Sequence, residues 1–262
     1  MRGIRERVGA GVVRLPEAAG ATRGATDGVR PPLRIALLGD SSAAGVGAPD
    51  HELALAGQLA AALTALTGRA VSWRVVARSS ATARVVRADL LPSLVPPGDP
   101  GPAPWRPDLV VVVVGVNDAT RLRRPRAFRR DVVRLGADVR SGLGREVPLL
   151  FTGLPPVHRF TGLPAWVRLP LGGHARLLDH QLAALVRHAP AAYHVRTEGL
   201  PEAGADGRSW LAEDGFHPGQ DGYRAWGRLL AARIATLAEV EPGLAAGGDR
   251  EADARAARGS AR

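Results

Sequence analysis

The fold is decided by the stretch Leu33-Arg34-Ile35-Ala36-Leu37-Leu38-Gly39-Asp40-Ser41-Ser42-Ala43-Ala44-Gly45, in which an apolar run meets a polar turn. A short apolar run that ends at glycine is typical of a strand buried on both faces of a parallel sheet. Glycine, aspartate and serine then favour a tight turn, because glycine tolerates unusual backbone angles and the other two cap backbone N–H groups. A helical pattern follows at residues 52–66, so the stretch predicts a strand–turn–helix unit.

The same alternation of apolar run and helical pattern recurs four more times along the chain. The predicted strands are residues 33–38, 71–77, 109–114, 147–152 and 192–196. The predicted helices are residues 52–66, 82–94, 125–141, 173–188 and 218–239. Nearly pure apolar strands must be covered on both faces. The sequence therefore predicts an α/β fold, a three-layer α/β/α sandwich with a five-stranded parallel sheet.

The two ends of the chain differ from this core in composition. Residues 1–32 and 242–262 are rich in Gly, Ala and Arg without a sustained period, and we interpret them as a flexible N-terminal segment and a disordered C-terminal tail. One domain, residues 33–241, remains. No stretch reaches the ~20 apolar residues of a membrane span, and the N-terminus lacks the apolar core of a signal peptide, so we expect a cytoplasmic protein.

Composition excludes several kinds of chemistry. The 262 residues include no cysteine and no lysine, so thiolate nucleophiles, cysteine zinc sites and Schiff-base catalysis are excluded. The histidines lack the carboxylate spacing of a metal site, and no dinucleotide-binding glycine pattern is present, so we expect neither a metal nor an organic cofactor. The formal net charge is +10, but the basic segments lack the interleaved aromatic residues that are typical of a nucleic-acid-binding surface. We therefore predict no nucleic-acid partner.

Polar segments stand where the predicted strands end and before the last helix: residues 39–45, 78–82, 115–118 and 214–218. Taken singly, such a segment is better explained as an ordinary turn or a helix cap than as part of a site. In an open parallel sheet, however, ligands bind outside the carboxyl ends of the strands. We therefore expect these segments to converge on one site.

The residue types in these segments suit nucleophilic catalysis. A serine hydroxyl attacks at neutral pH only with a base within about 3 Å, and histidine, with an ordinary pKa near ~6.5, can take and return that proton. Asp214 stands three residues before His217 and can reach back to orient its ring. These features predict Ser41 as nucleophile, His217 as base and Asp214 as orienting acid. The Ser41 N–H and the Asn117 amide are suited to stabilise an oxyanion.

The Gly-Asp-Ser, Gly-x-Asn-Asp and Asp-x-x-His blocks resemble, in type and order, those of the SGNH (GDSL-type) hydrolase family, a resemblance that covers roughly residues 33–237. It implies the flavodoxin-like strand order 2-1-3-4-5 and the catalytic roles given above. It also implies an oxyanion hole of Ser41, Asn117 and a glycine in the second block. Here the matching residue is Ser80, whose N–H serves if the backbone there accepts a side chain.

Two further segments have two interpretations each. Residues 153–171 are predicted to be a long loop whose Phe160, Leu163 and Trp166 either line an acyl pocket or only pack the loop onto the domain. Seven arginines between Arg121 and Arg134 form either a solvated helix face or a basic surface for anionic esters and lipid headgroups, with transient contact to a membrane surface.

The predicted function is hydrolysis of a small-molecule carboxylic ester, either a lipid or a simple acyl ester, through an acyl-enzyme on Ser41. A carbohydrate O-acetylesterase is the alternative within the same chemistry. Since Ser80 replaces the usual glycine, a catalytically weak binding module with this fold is a second alternative.

Overall fold

A computed structural model describes residues 13–94, 105–143, 147–197, 200, 210–241 and 244. The strands are β1 (Arg23–Ala25), β2 (Val29–Gly39), β3 (Arg69–Ala77), β4 (Leu109–Val113), β5 (Leu149–Thr152) and β6 (Ala192–Val195). The helices are α1 (Leu55–Thr67), α2 (Ala83–Val85), α3 (Val116–Thr120), α4 (Pro125–Leu143), α5 (Ala165–Val186) and α6 (Gln220–Ala238). A π-turn (Val86–Leu90) and two 3-10 turns (Leu91–Ser93 and Val157–Arg159) complete the regular structure that the described residues form.

The strands form one sheet in the order β1-β3-β2-β4-β5-β6. All neighbours are parallel except β1, which runs antiparallel to β3. Without β1, the order is the predicted 2-1-3-4-5. Helix α1 packs against α6, and α4 packs against α5, so two helical layers cover the sheet. All five residues of β4 are buried, as a central strand between two layers requires.

The sheet has six strands rather than the predicted five. The additional strand, β1, lies within the segment that we predicted to be flexible, and its three residues pair with Ser72, Trp73 and Arg74 of β3. Three residues are too few to show an apolar period, so the sequence gives no sign of this strand. Strand β2 also starts at Val29, four residues before the predicted boundary.

At the other end, most of the predicted tail (242–262) lies outside the described residues. Leu244, the one residue of that range that the structure describes, is buried, and its carbonyl accepts a hydrogen bond from the Arg69 guanidinium.

The helix after β5 begins earlier than predicted. The sequence assigns residues 153–171 to a loop, whereas α5 starts at Ala165 and includes Pro170 in its interior. Proline, which lacks an N–H, usually ends a helix, and this misplaced the predicted start. The predicted helix 82–94 is a succession of one α-, one π- and one 3-10 turn.

The amphipathic pattern predicted for α4 is confirmed. Its apolar side chains are buried, and its arginines at helical spacing are exposed. The buried set comprises Phe128, Val132, Leu135 and Val139, and the exposed set comprises Arg126, Arg129, Arg130 and Arg134. None of the helices within the described ranges combines the length and apolar character that a membrane span needs.

Candidate active site

Ser41 stands two residues after the end of β2, at the edge where the parallel strands end. Strand β2 approaches β4 very closely here: a Cβ on Gly39 would lie 2.3 Å from the carbonyl oxygen of Val113. The Asp40 N–H donates to that same carbonyl over 3.0 Å. Glycine is therefore required before the Asp-Ser pair, because no side chain fits between the two strands. Ser41 itself is 8 % exposed.

Asp214 organises the loop that leads to His217. One carboxylate oxygen, Oδ1, accepts the N–H groups of Phe216 and His217, both over 2.9 Å. The Ala212 N–H donates to the His217 carbonyl over 2.8 Å. These bonds close a tight turn just before α6 and fix the direction of the imidazole ring.

The structure brings Ser41, His217 and Asp214 together in one chain of hydrogen bonds. His217 Nδ1 lies 2.6 Å from Asp214 Oδ2, and His217 Nε2 lies 2.9 Å from Ser41 Oγ. An ionised carboxylate can only accept, so Nδ1 carries the proton that faces Asp214. Nε2 is then the acceptor for the Ser41 hydroxyl. The arrangement can remove a proton from serine and return it later.

The protonation of Asp214 agrees with this assignment. Burial by itself raises the pKa of Asp214, but hydrogen bonds from the His217 ring and from the His217 and Phe216 N–H groups outweigh burial. They hold the pKa below its ordinary value, so the carboxylate is ionised at neutral pH.

Two phenylalanines support the imidazole from the side. The rings of Phe216 and His217 meet edge-on at 5.1 Å, and Phe160 lies 4.7 Å from Phe216. The Gly162 N–H also donates to the Gly215 carbonyl over 2.9 Å. A Cβ on Gly162 would lie 2.1 Å from the Asp214 carbonyl oxygen, so only glycine allows this close approach.

The three residues predicted to line an acyl pocket face different directions. Phe160 is 2 % exposed and packs into the core, and Leu163 is partly buried against it. Trp166 is 71 % exposed on the first turn of α5. Sequence reasoning identified these side chains as apolar but not their directions, because the direction depends on where the helix starts. It also missed Phe216, whose position between Asp214 and His217 was the available signal.

Ser80 lies in the turn after β3, with its side chain exposed. Its φ is +64°, a left-handed conformation that favours glycine. The Ser80 carbonyl accepts a hydrogen bond from Arg121 over 2.9 Å. The backbone therefore adopts a glycine-type conformation although the residue carries a Cβ.

Asn117 lies in the first turn of α3, directly after β4. Its Nδ2 is 3.5 Å from Asp40 Oδ2, the outer limit of a hydrogen bond, so this contact is weak. Asn117 therefore lies next to Asp40, the residue that precedes Ser41, and its side-chain amide is bonded only weakly to the Asp40 carboxyl group.

Two carboxyl groups of the same motif blocks, Asp40 and Asp118, are buried, and the sequence analysis assigned neither of them a role. Burial raises the pKa of Asp40 to about 7, although the Ser42 N–H and the charge of His217 lower it. Burial also raises the pKa of Asp118 to about 6, against the hydrogen bond from the Ala83 N–H. A proton thus titrates near neutral pH on the residue next to Ser41.

A cavity of about 500 Å³ lies on the Asn117 side of this edge. It is lined by Thr82, Arg84, Val85, Ala88, Asp89, Asp118, Arg121 and Arg123. Five of these eight residues carry a charged side chain. Among the residues that the structure describes, no three histidine or carboxylate side chains gather as a metal ion would require.

Comparisons with known proteins agree with this fold. The crystal structure of the lipase Lip_vut3 from a goat rumen metagenome is 18% identical, with a TM-score of 0.56, and the match covers 76% of this chain and 96% of that one. TesA is 18% identical, covers 78% of this chain and 99% of its own, and gives a TM-score of 0.56. Est24, a carbohydrate acetylesterase from Sinorhizobium meliloti, is 17% identical at 78% and 98% coverage, with a TM-score of 0.56.

These identities are low, so the three structures establish the fold alone. No curated protein sequence matches the chain. By contrast, the family model of the GDSL-like lipase/acylhydrolase family matches residues 37–225. This range includes Ser41, Asp214 and His217. The chain belongs to the GDSL-like lipase/acylhydrolase family and is a carboxylic ester hydrolase.

Proposed function

We propose that the protein hydrolyses lipid or simple acyl esters through an acyl-enzyme on Ser41, with His217 as general base and acid. The observation that carries the proposal is the continuous hydrogen-bond chain from Ser41 Oγ through His217 to Asp214, over 2.9 and 2.6 Å. Since Asp214 stays ionised, it holds the ring in the productive tautomer and stabilises the imidazolium that forms.

The reaction proceeds in two halves. His217 Nε2 takes the hydroxyl proton as Ser41 Oγ attacks the ester carbonyl, and the imidazolium then gives that proton to the leaving alkoxide. Water then attacks the acyl-enzyme with the same two proton transfers through His217, which releases the acid and restores Ser41. The Ser41 and Ser80 N–H groups and the Asn117 amide are the proposed donors to the oxyanion. No step needs a metal or an organic cofactor.

The second candidate is a carbohydrate O-acetylesterase. The cavity of about 500 Å³ at Asp118 favours it, because the arginines and carboxyl groups in its lining can form hydrogen bonds with a hydroxyl-rich alcohol. Est24, with the same fold, is a carbohydrate acetylesterase. A panel of p-nitrophenyl esters of increasing chain length, assayed beside an acetylated sugar, separates the two candidates.

The nucleophile is tested by comparing two neighbouring serines. Ser41→Ala should lower kcat by roughly 10⁴-fold or more, because the attacking atom is removed. Ser42→Ala is the matched control: only its backbone N–H is bonded to Asp40, so activity should stay within about 3-fold. Equal activity of both variants would remove Ser41 from the mechanism. An intact chain that cleaves no ester would leave the binding module as the better description.

A further inference from the structure

Helix α5 carries an apolar stripe, defined as Trp166, Leu169, Pro170, Gly173 and Leu177. All five are exposed, and their spacing of three or four residues places them on one face of the helix. Trp166 is 71 %, Leu169 64 % and Leu177 46 % exposed. Single exposed apolar residues are ordinary, but a continuous stripe beside a site marks an interaction surface.

The surroundings of the apolar stripe are basic. Residues 147–178 include Arg159, Arg168 and Arg176 but no aspartate or glutamate, and the next residue of the helix, Asp179, is paired with His194. The neighbouring helix α4 adds its four exposed arginines, and its Asp131 is turned inward onto Arg123. The His174 ring is hydrogen-bonded to the Arg123 carbonyl over 3.1 Å, which joins the arginine-rich segment to α5.

The apolar stripe begins beside the active site. Helix α5 starts three residues after Gly162, whose N–H donates to the Gly215 carbonyl in the loop that carries His217. A lipid surface that contacts the stripe therefore lies on the side of the molecule where this loop is held.

We propose that the apolar stripe docks the enzyme on an anionic lipid surface, with the surrounding arginines on the headgroups. Apolar side chains inserted at the headgroup boundary and arginines on anionic lipid are the two contributions that hold peripheral proteins. A second copy of this chain fits less well, because a two-fold contact through the stripe brings Arg168 and Arg176 towards their own copies. The docking proposal does not depend on the catalytic mechanism. Only its role in delivering lipid esters to Ser41 rests on the proposed function.

The test is flotation of the full chain with phosphatidylcholine vesicles, with and without phosphatidylglycerol. We expect binding to the anionic vesicles, weakened by salt. Leu169→Ser combined with Leu177→Ser should reduce the bound fraction by about 10-fold or more. Leu66→Ser, on the remote helix α1, is the matched control because Leu66 is 60 % exposed; it should bind as the intact chain does.

Two further measurements make the outcomes distinct. Ser41→Ala should bind vesicles fully, and the double leucine variant should keep its turnover of soluble p-nitrophenyl acetate, so failure of docking and failure of the proposed chemistry are separable. The proposal would be overturned if the chain did not bind anionic vesicles, or if Leu66→Ser lost as much binding as the double leucine variant. It would also be overturned if sedimentation showed that the intact chain is a dimer and that the double leucine variant is a monomer.

Discussion

The loop from Asp214 to His217 and the turn at Ser80 reach the same edge of the sheet, but their backbones are held differently. In the loop, the positive φ falls on a glycine, Gly215 at +60°, and the Asp214 carboxylate accepts three hydrogen bonds. In the turn, the positive φ of +64° falls on Ser80. A residue with a Cβ costs about 1 kcal/mol or more in that conformation.

The difference follows from what each region must supply. The roles proposed for His217 and Asp214 depend on particular side-chain atoms, so they require a fixed imidazole ring and a carboxylate whose hydrogen bonds are satisfied. A role that depends on a backbone N–H can be filled by any residue that adopts the backbone conformation. The comparison thus predicts that the loop is sensitive to small displacements and that the turn tolerates changes of side chain.

The largest effect expected from this comparison concerns the side-chain amide of Asn117, the one side-chain group among the proposed oxyanion donors. Asn117→Ala should lower kcat by about 10²- to 10³-fold with little change in KM, because a donor to the oxyanion acts mainly in the transition state. Steady-state kinetics measures this. Thr120→Ala is the control, because it removes only a hydrogen bond within the same turn, to the Asn117 carbonyl. An unchanged kcat with a lower melting temperature would make Asn117 a turn residue instead.

The second prediction tests the sensitivity of the loop. Gly162→Ala places a Cβ against the Asp214 carbonyl oxygen, so the backbone that carries His217 must shift. A shift of about 1 Å should lower kcat/KM by roughly 10²-fold. Gly173→Ala is the matched control, because nothing lies within 4 Å of its Cβ position. Circular dichroism confirms that both variants are folded; wild-type kcat/KM in folded Gly162→Ala would contradict the comparison.

The sheet could be predicted because buried parallel strands are continuous apolar runs, and five such runs are present. Strand β1 could not be predicted, because its sequence, Arg-Gly-Ala, has no apolar pattern and its pairing partner is distant in the chain. The start of α5 was wrong for a related reason. Pro164 and Pro170 are local signals for a loop, whereas the helix begins after the first and includes the second.

The polar members of the site were recognisable as motifs, and the structure brings Ser41, Asp214 and His217 within hydrogen-bond distance; their roles stay proposals. What supports them was not predictable. An apolar residue such as Phe160 must pack somewhere, but only the folded chain decides that it packs on Phe216. The raised pKa of Asp40 likewise results from burial by residues that are far apart in sequence.

That buried carboxyl group gives the third prediction. Because burial raises the pKa of Asp40 to about 7, the folded protein binds a proton there that the unfolded chain releases near pH 4. Stability from this group is complete below about pH 4 and is lost as pH rises to about 7. Asp40→Asn should therefore gain stability over the wild type, by on the order of 2 kcal/mol, between pH 5 and pH 8.

Urea unfolding of both proteins across that pH range measures this difference. Asp118, whose pKa is raised to about 6, remains in both proteins, and because its charge contributes to the raised pKa of Asp40, part of the pH dependence reflects the two carboxyl groups together. A difference in the free energy of unfolding that does not change with pH would show that Asp40 does not titrate in this range.

The smallest effect concerns the turn itself. Ser80→Gly should raise the free energy of unfolding by about 0.5 to 1 kcal/mol. Glycine adopts a φ of +64° without the steric cost of a Cβ, and the relief of that cost exceeds the loss due to the larger entropy of glycine in the unfolded chain. The N–H is retained, so kcat should stay within about 2-fold. Ser80→Ala keeps the Cβ and should leave stability unchanged, whereas Ser79→Gly should only destabilise, since its φ is not positive. If glycine at both positions destabilised equally, the strain at Ser80 would be refuted, and with it the contrast between turn and loop.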